Sequence, residues 1–294
     1  MVSFDIKIFH GLKMKSDLYR AICVIVIVIS GWAYAGEDNN ELAKASINAL
    51  KINHYAEHIA APFQEYVNFD YGQNNTQSIL YFKPVVPFHL TANYDLIIRT
   101  IAPLYERTPT RNAQQVLEGH YVDGWGDINP TFFITPAKFK SIIVGFGPTV
   151  SIPTATNKDY IGTGKWSLGP ELALYYLQKN WIIGCLTNNL WSVAGDAQKP
   201  AVSMFQFEYL ISYVFDQGWY IDTNPTITAN WKSAANQQWT VPLGIGVGRI
   251  VKYGQQNINL GVNGNYNVIR PNGLGPTWQL QFQVEWLFNP PASS

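Results

Sequence analysis

His54 and His58 stand four residues apart with Glu57 between them, a spacing that sets two imidazoles on one face of a helix where a metal ion could bridge them. No third ligand lies nearby and the order is not HExxH, so two solvated histidines are the better reading and no metal site is expected. Gly162-Thr163-Gly164-Lys165 has the flavour of a phosphate loop. It lacks the four-residue spacer of that motif, however, and Trp166 stands where the magnesium-binding Ser or Thr would be. Gly244, Gly246 and Gly248 alternate inside an apolar run with no helix after it, which argues against a dinucleotide site and for room made beside an inward face. His89 and His120 are expected in a turn and a loop, neither beside a Ser with a third polar partner, so no nucleophilic triad emerges. These readings give no catalytic residue, no cofactor and no enzyme.

What remains is a set of carboxylates, amides and two bases that recur at every second position: Asp127, Asn129, Glu171, Glu208, Asp222, Asn224, Asn230, Asn259, Asn263, Gln281, Gln283 and Glu285, with Lys83 and Arg99. Such spacing needs strands, because side chains alternate across a strand. Trp278–Phe288 (WQLQFQVEWLF) is the clearest case. Trp278, Leu280, Phe282, Val284, Trp286 and Phe288 take one face; Gln279, Gln281, Gln283 and Glu285 take the other. Residues 219–231, 257–268, 239–247 and 203–215 repeat the pattern.

Only 14% of residues are charged, well below the ~25% of soluble domains. Residues 21–32 (AICVIVIVISGW) form a short apolar run behind Lys15 and Arg20, followed by Ala33-Tyr34-Ala35. These are the parts of a secretory signal cleaved after Ala35, with Met14 an alternative start. Residues 36–61 read as a periplasmic segment with a short helix, 62–288 as the membrane domain and 289–294 as a tail. Removing Lys7, Lys13, Lys15, Arg20, Asp5 and Asp17 with the leader leaves a net charge of −2, which excludes the basic face that nucleic acid requires. About twelve strands can be placed after Pro62, with long polar connections (106–124, 153–164, 192–201, 269–277) alternating with short ones (137–140, 178–180, 216–218). An even strand number, long loops at one end and Trp near strand ends predict an all-β fold, a transmembrane antiparallel up-and-down barrel in the outer membrane of a Gram-negative bacterium.

The phrases PFQEYVNFDYG (62–72), LYFKPVVPFHL (80–90), YDLIIRTIAPL (94–104), GWGDINPTFFITP (124–136), VGFGPTVSIPTAT (144–156), GTGKWSLGP (162–170), NNLWSVAGD (188–196), PTITANW (225–231) and WTVPLGIGVGR (239–249) resemble a proteobacterial outer-membrane family. That family is grouped with MetA-pathway phenol-degradation proteins, and some of its members carry the name neuromedin U. The resemblance implies a barrel that passes small compounds, aromatic ones among them, and supplies no catalytic residues.

The polar inner face then predicts passive transport of small solutes; the alternative is a sealed barrel that binds a partner or stiffens the envelope. Acids outnumber bases on that face, which predicts a weak preference for cations. The expected partners are outer-membrane lipid, a small solute, and the barrel-assembly machinery, which would read Trp286 and Phe288 in the last strand.

Overall fold

The computed structural model describes residues 59–72, 75–111, 117–137, 141–254, 256–272 and 275–288. Twelve antiparallel strands close into one barrel: β1 (Ile59–Tyr71), β2 (Asn75–Phe82 with Val85–His89), β3 (Tyr94–Arg111), β4 (Leu117–Gly124 with Asn129–Pro136), β5 (Ile142–Ser151) and β6 (Lys165–Gln178). They continue with β7 (Trp181–Gly195), β8 (Ser203–Val214), β9 (Trp219–Thr223 with Thr226–Asn230), β10 (Trp239–Tyr253), β11 (Gln256–Ile269) and β12 (Trp278–Phe288). Each strand pairs with its neighbours in sequence, and β1 pairs with β12 from Ile59↔Phe288 to Phe69↔Trp278. Closure leaves no unpaired edge, the condition a sheet must meet in lipid.

Three strands are interrupted, two of them at proline. Pro84 and Pro225 have no N–H to give the ladder, yet the register passes through unchanged. Phe63↔Phe82 and Ala60↔Val85 lie on one ladder, as do Ile211↔Thr223 and Glu208↔Thr226. In β3 a bulge between the pairs Leu80↔Tyr105 and Tyr81↔Pro103 shifts the face of every residue beyond it.

The connections 196–202, 231–238 and 152–164 gather at one end, the loop end. The turns 90–93, 179–180 and 215–218 gather at the other, with Ile59 and Phe288. Two boundaries differ from expectation. The stretch 106–124 is mostly a strand hairpin, pairing Glu106↔Gly124 to Pro109↔Tyr121, so His120 lies in a strand. The Arg107 guanidinium stacked 4.5 Å from the Tyr121 ring joins the two arms of that hairpin, and inward hydrogen bonds from Gln77 to Glu106 and Thr108 tie its first arm to β2. The barrel also begins at Ile59, because Ile59, Ala60 and Ala61 pair with the end of β12. The leader, most of 36–61 with His54, Glu57 and His58, and the 289–294 tail lie outside the described residues.

β6 shows the two walls most plainly. Trp166, Leu168, Pro170, Leu172, Leu174 and Tyr176 are exposed, while Ser167, Gly169, Glu171, Ala173 and Tyr175 between them are buried. From Trp166 to Tyr176 a tilted strand rises ~25 Å, the height of a bilayer's apolar band. Aromatic rings mark both rims of that band. Near the loop end, Trp231 packs against Trp239 (5.4 Å) and Tyr266 against Trp278 (4.6 Å). Near the terminal end, Tyr213 touches Trp181 (4.8 Å) and Phe215 (4.9 Å).

Candidate functional site: a waisted lumen

The inner wall is shaped first by what is small. Gly244, Gly246 and Gly248 of β10 are paired with Asn265, Asn263 and Gly261 of β11, and Gly246 and Gly248 also with Asp222 and Tyr220 of β9. A Cβ on Gly244 would strike Asn265, one on Gly246 would strike both Asn263 and Asp222, and one on Gly248 would strike the Tyr220 ring. The glycine run therefore lets larger side chains from both neighbouring strands lean across β10. Gly184 of β7 does the same for Tyr175.

Two chains of hydrogen bonds cross the inner wall through β12 and β1, one running from β11 to β3 and the other from β9 to β2. Nearer the loop end, Asn265 donates to Gln279 (3.2 Å), Gln279 to Asn68 (2.9 Å), Asn68 to Gln77 (2.8 Å) and Gln77 to Glu106 (3.1 Å). Deeper in, Lys83 Nζ donates to Tyr66 (3.1 Å), Tyr66 to Gln64 (3.1 Å), Gln64 to Gln283 (2.7 Å) and Gln283 to Glu285 (3.1 Å). Asn259 reaches the same Glu285 oxygen (2.9 Å) and accepts from the Tyr220 hydroxyl (2.8 Å). Connected networks of this kind fix side chains that would otherwise swing into the lumen.

At mid-height one side chain spans the barrel. Arg99 of β3 meets Glu171 of β6 (3.3 Å) and Glu208 of β8 (3.4 Å), the latter on nearly the opposite wall. Glu171 is almost wholly buried and also accepts from Thr131 (2.6 Å). Lys83 sits over the Tyr66 and Tyr81 rings at 4.9 and 5.0 Å. This waist sets bases on one wall against acids on the other. It separates an upper chamber of about 290 Å³, on the side of the loop end, from a lower one of about 120 Å³. Tyr66, Lys83, Arg99, Glu208 and Asn224 border both.

Below the lower chamber the inner wall turns apolar. Ile97, Phe133, Ile143, Val214, Ile250 and Leu287, all buried, pack together across the terminal end. Alternation alone assigns apolar residues to lipid, and this floor is where that rule fails. Its side chains are buried against one another across the barrel, which stabilises each by roughly 1.5–3 kcal/mol relative to exposure to water.

Of the residues singled out from sequence, Lys83, Arg99, Glu171, Glu208, Asn224, Asn259, Asn263, Asp222, Gln281, Gln283 and Glu285 line one or both chambers. Asp127, Asn129 and Asn230 do not border either. Asp127 accepts from Ala155 N (3.0 Å), Thr163 N (2.8 Å) and the Thr163 hydroxyl (2.8 Å), clasping the 152–164 loop over the rim. Trp125 N and Ile128 N donate to Thr156 and Thr154 beside it, both at 3.0 Å. The GDI, PTAT and GTGKW phrases are thus three parts of one clasp, which is the use made of Gly162–Lys165. Asn129 donates to Val150 O (2.6 Å) and Thr149 (3.1 Å), and Asn230 accepts from Lys232 N (3.0 Å). Trp286 and Phe288 pair with Ala61 and Ile59 where the barrel closes. Sequence reasoning missed Asp95, Glu106, Gln64, Tyr66 and Asn68. The 64–66–68 and 95–97–99 alternations carry all but Glu106, which lies beyond the β3 bulge and out of phase. Among the described residues no three His, Cys, Asp or Glu side chains are grouped to hold a metal ion.

A closed antiparallel barrel with an apolar outer wall, aromatic rims and a polar interior is a transmembrane barrel of the outer-membrane type. The fold is similar to that of the COG4313 outer membrane channel of Pseudomonas putida F1, at a TM-score of 0.59 and 14% identity, covering 80% of this chain and 96% of that one. The NanC porin aligns with a TM-score of 0.49 and 9% identity, covering 78% of this chain and 99% of that one. No family model and no curated protein matches the sequence.

Proposed function

We propose that this barrel passes small solutes passively across the outer membrane of a Gram-negative bacterium, with the Arg99 waist and the apolar floor as its two constrictions. The observation that carries the reading is the waist itself. Two polar chambers meet at ion pairs of 3.3 and 3.4 Å, longer than the ~2.7–2.9 Å of a tight charge-assisted bond. A lumen filled only for rigidity has no need of chambers on both sides of such a contact. The floor fits a gate as well, since hydrophobic constrictions close pores by excluding water and open with small displacements.

Tyr66 and Tyr81 line the upper chamber, and Tyr66, Tyr175 and Tyr220 the lower. Their rings support admission of neutral aromatic solutes. The MetA-pathway grouping stays part of this proposal and rests on the GDI, PTAT, GTGKW and ITANW phrases. Swelling of liposomes carrying the purified barrel tests the reading. Small neutral solutes graded by size should enter below a sharp cut-off, and Arg99→Gln should raise that cut-off. Liposomes that fail to swell with either protein would favour the sealed, partner-binding barrel.

A further inference from the structure

The lower chamber holds three buried side-chain oxygens of Asp and Asn that have no hydrogen-bond partner among the described residues, beside the equally unpartnered hydroxyl of Ser212. Asp222 on β9 and Asn263 on β11 are both paired with Gly246, one from each side. Their Oδ1 atoms converge on the point where a Gly246 Cβ would sit. Asp222 is 8% exposed and Asn263 5%, and neither Oδ1 has a hydrogen-bond partner among the described residues. Asn224, the next inward position on β9, presents a third buried Oδ1 without a partner to the same chamber.

Buried acceptors are ordinarily satisfied, and here three face one chamber while the amides of Asn259 and Gln283 are spent on Glu285 and that of Gln64 on Gln283. Arg99 is engaged by Glu171 and Glu208, and Lys83 by Tyr66. One carboxylate and two amide oxygens match the three N–H donors and single positive charge of a primary ammonium group. We propose that Asp222, Asn224 and Asn263 form a binding site for the ammonium end of a small amine, with Gly246 kept as glycine because any side chain there would fill it.

The proposal deepens the transport reading, because such a solute must enter the lower chamber, but its test does not depend on conduction. The side-chain amide signals of Asn224 and Asn263 can be followed by NMR in the refolded, 15N-labelled barrel. Methylammonium chloride is titrated at constant ionic strength against rubidium chloride and tetramethylammonium chloride, which carry the charge without the donors. Methylammonium should give saturable shifts at both residues. Asp222→Asn, close in shape, should weaken that binding at least tenfold, and Asn263→Ala should weaken it with Asp222 intact. Equal saturation by rubidium would overturn the ammonium assignment in favour of a site for any small cation. Unchanged binding in both variants would place the ligand elsewhere. Absence of saturable shifts with every salt would mean that a proton on Asp222 or a turned Asn263 amide closes the pair, and would overturn the site. Liposome swelling by neutral solutes would survive any of these results, so the two readings fail separately.

Discussion

Replacing Arg99 by Gln removes a cation that spans the barrel and leaves Glu171 buried without this charge partner. The Glu171 side chain is 1% exposed and that of Arg99 11%, so the pair belongs with buried ion pairs, whose disruption from one side costs ~3–5 kcal/mol. Two features reduce that figure. Glu171 keeps its 2.6 Å bond from Thr131, a retained contact worth roughly 1 kcal/mol. Glu208 is 31% exposed, and its share is the ~0–1 kcal/mol of a screened pair. Arg99→Gln should therefore destabilise the barrel by about 2–4 kcal/mol. Adding Glu171→Gln removes the stranded charge and should restore at least half of the loss, a coupling of the kind expected for residues in one network. Reversible urea unfolding from lipid vesicles, followed by tryptophan fluorescence, measures both. A cost under ~1 kcal/mol for Arg99→Gln, or a double variant whose losses simply add, would refute the waist as a buried, mutually dependent contact.

On the outer wall, Leu172→Arg near the middle of the apolar band should cost ~2–4 kcal/mol, whereas Leu168→Arg, close to Trp166, should cost under ~1 kcal/mol. Equal costs in the same unfolding titration would contradict the placement of β6. Asp127→Ala removes three accepted hydrogen bonds from the 152–164 clasp, and tryptic cleavage at Lys158 on intact cells should become several-fold faster; an unchanged rate would show that the loop is held by other contacts. Phe288→Ala should lower the yield of folded barrel in the outer membrane while deletion of 289–294 leaves it nearly intact. Normal yield of the Phe288 variant on heat-modifiability gels would count against a signal in the last strand.

Strand period made the barrel legible, because a one-sided polar alternation such as that of 278–288 and 257–268 has few other uses in a chain so poor in charge. The lower chamber was legible for the same reason: Asn259, Asn263, Gln281, Gln283 and Glu285 sit in phase on strands without breaks. Three features broke the reading. The β3 bulge put Glu106 out of phase with Arg99. The irregular stretch 125–128 turned Asp127 to the loop clasp instead of the lumen. The floor defeated the rule of polar inside and apolar outside, because Ile97, Phe133 and Ile182 find partners only in three dimensions, across the barrel. Glycine spacing in 244–248 signalled close approach without naming what approaches.

Conductance across a planar bilayer tests the solute path most directly. The wild-type barrel should give a small conductance with a weak preference for cations, since the acids Glu171, Glu208, Asp222 and Glu285 exceed Lys83 and Arg99 along the chambers. Arg99→Gln should enlarge that conductance and strengthen the preference, the strengthening fading as salt shortens the Debye length below ~10 Å. Anion selectivity in the wild type, or no current from either protein, would contradict a lumen that conducts through this waist.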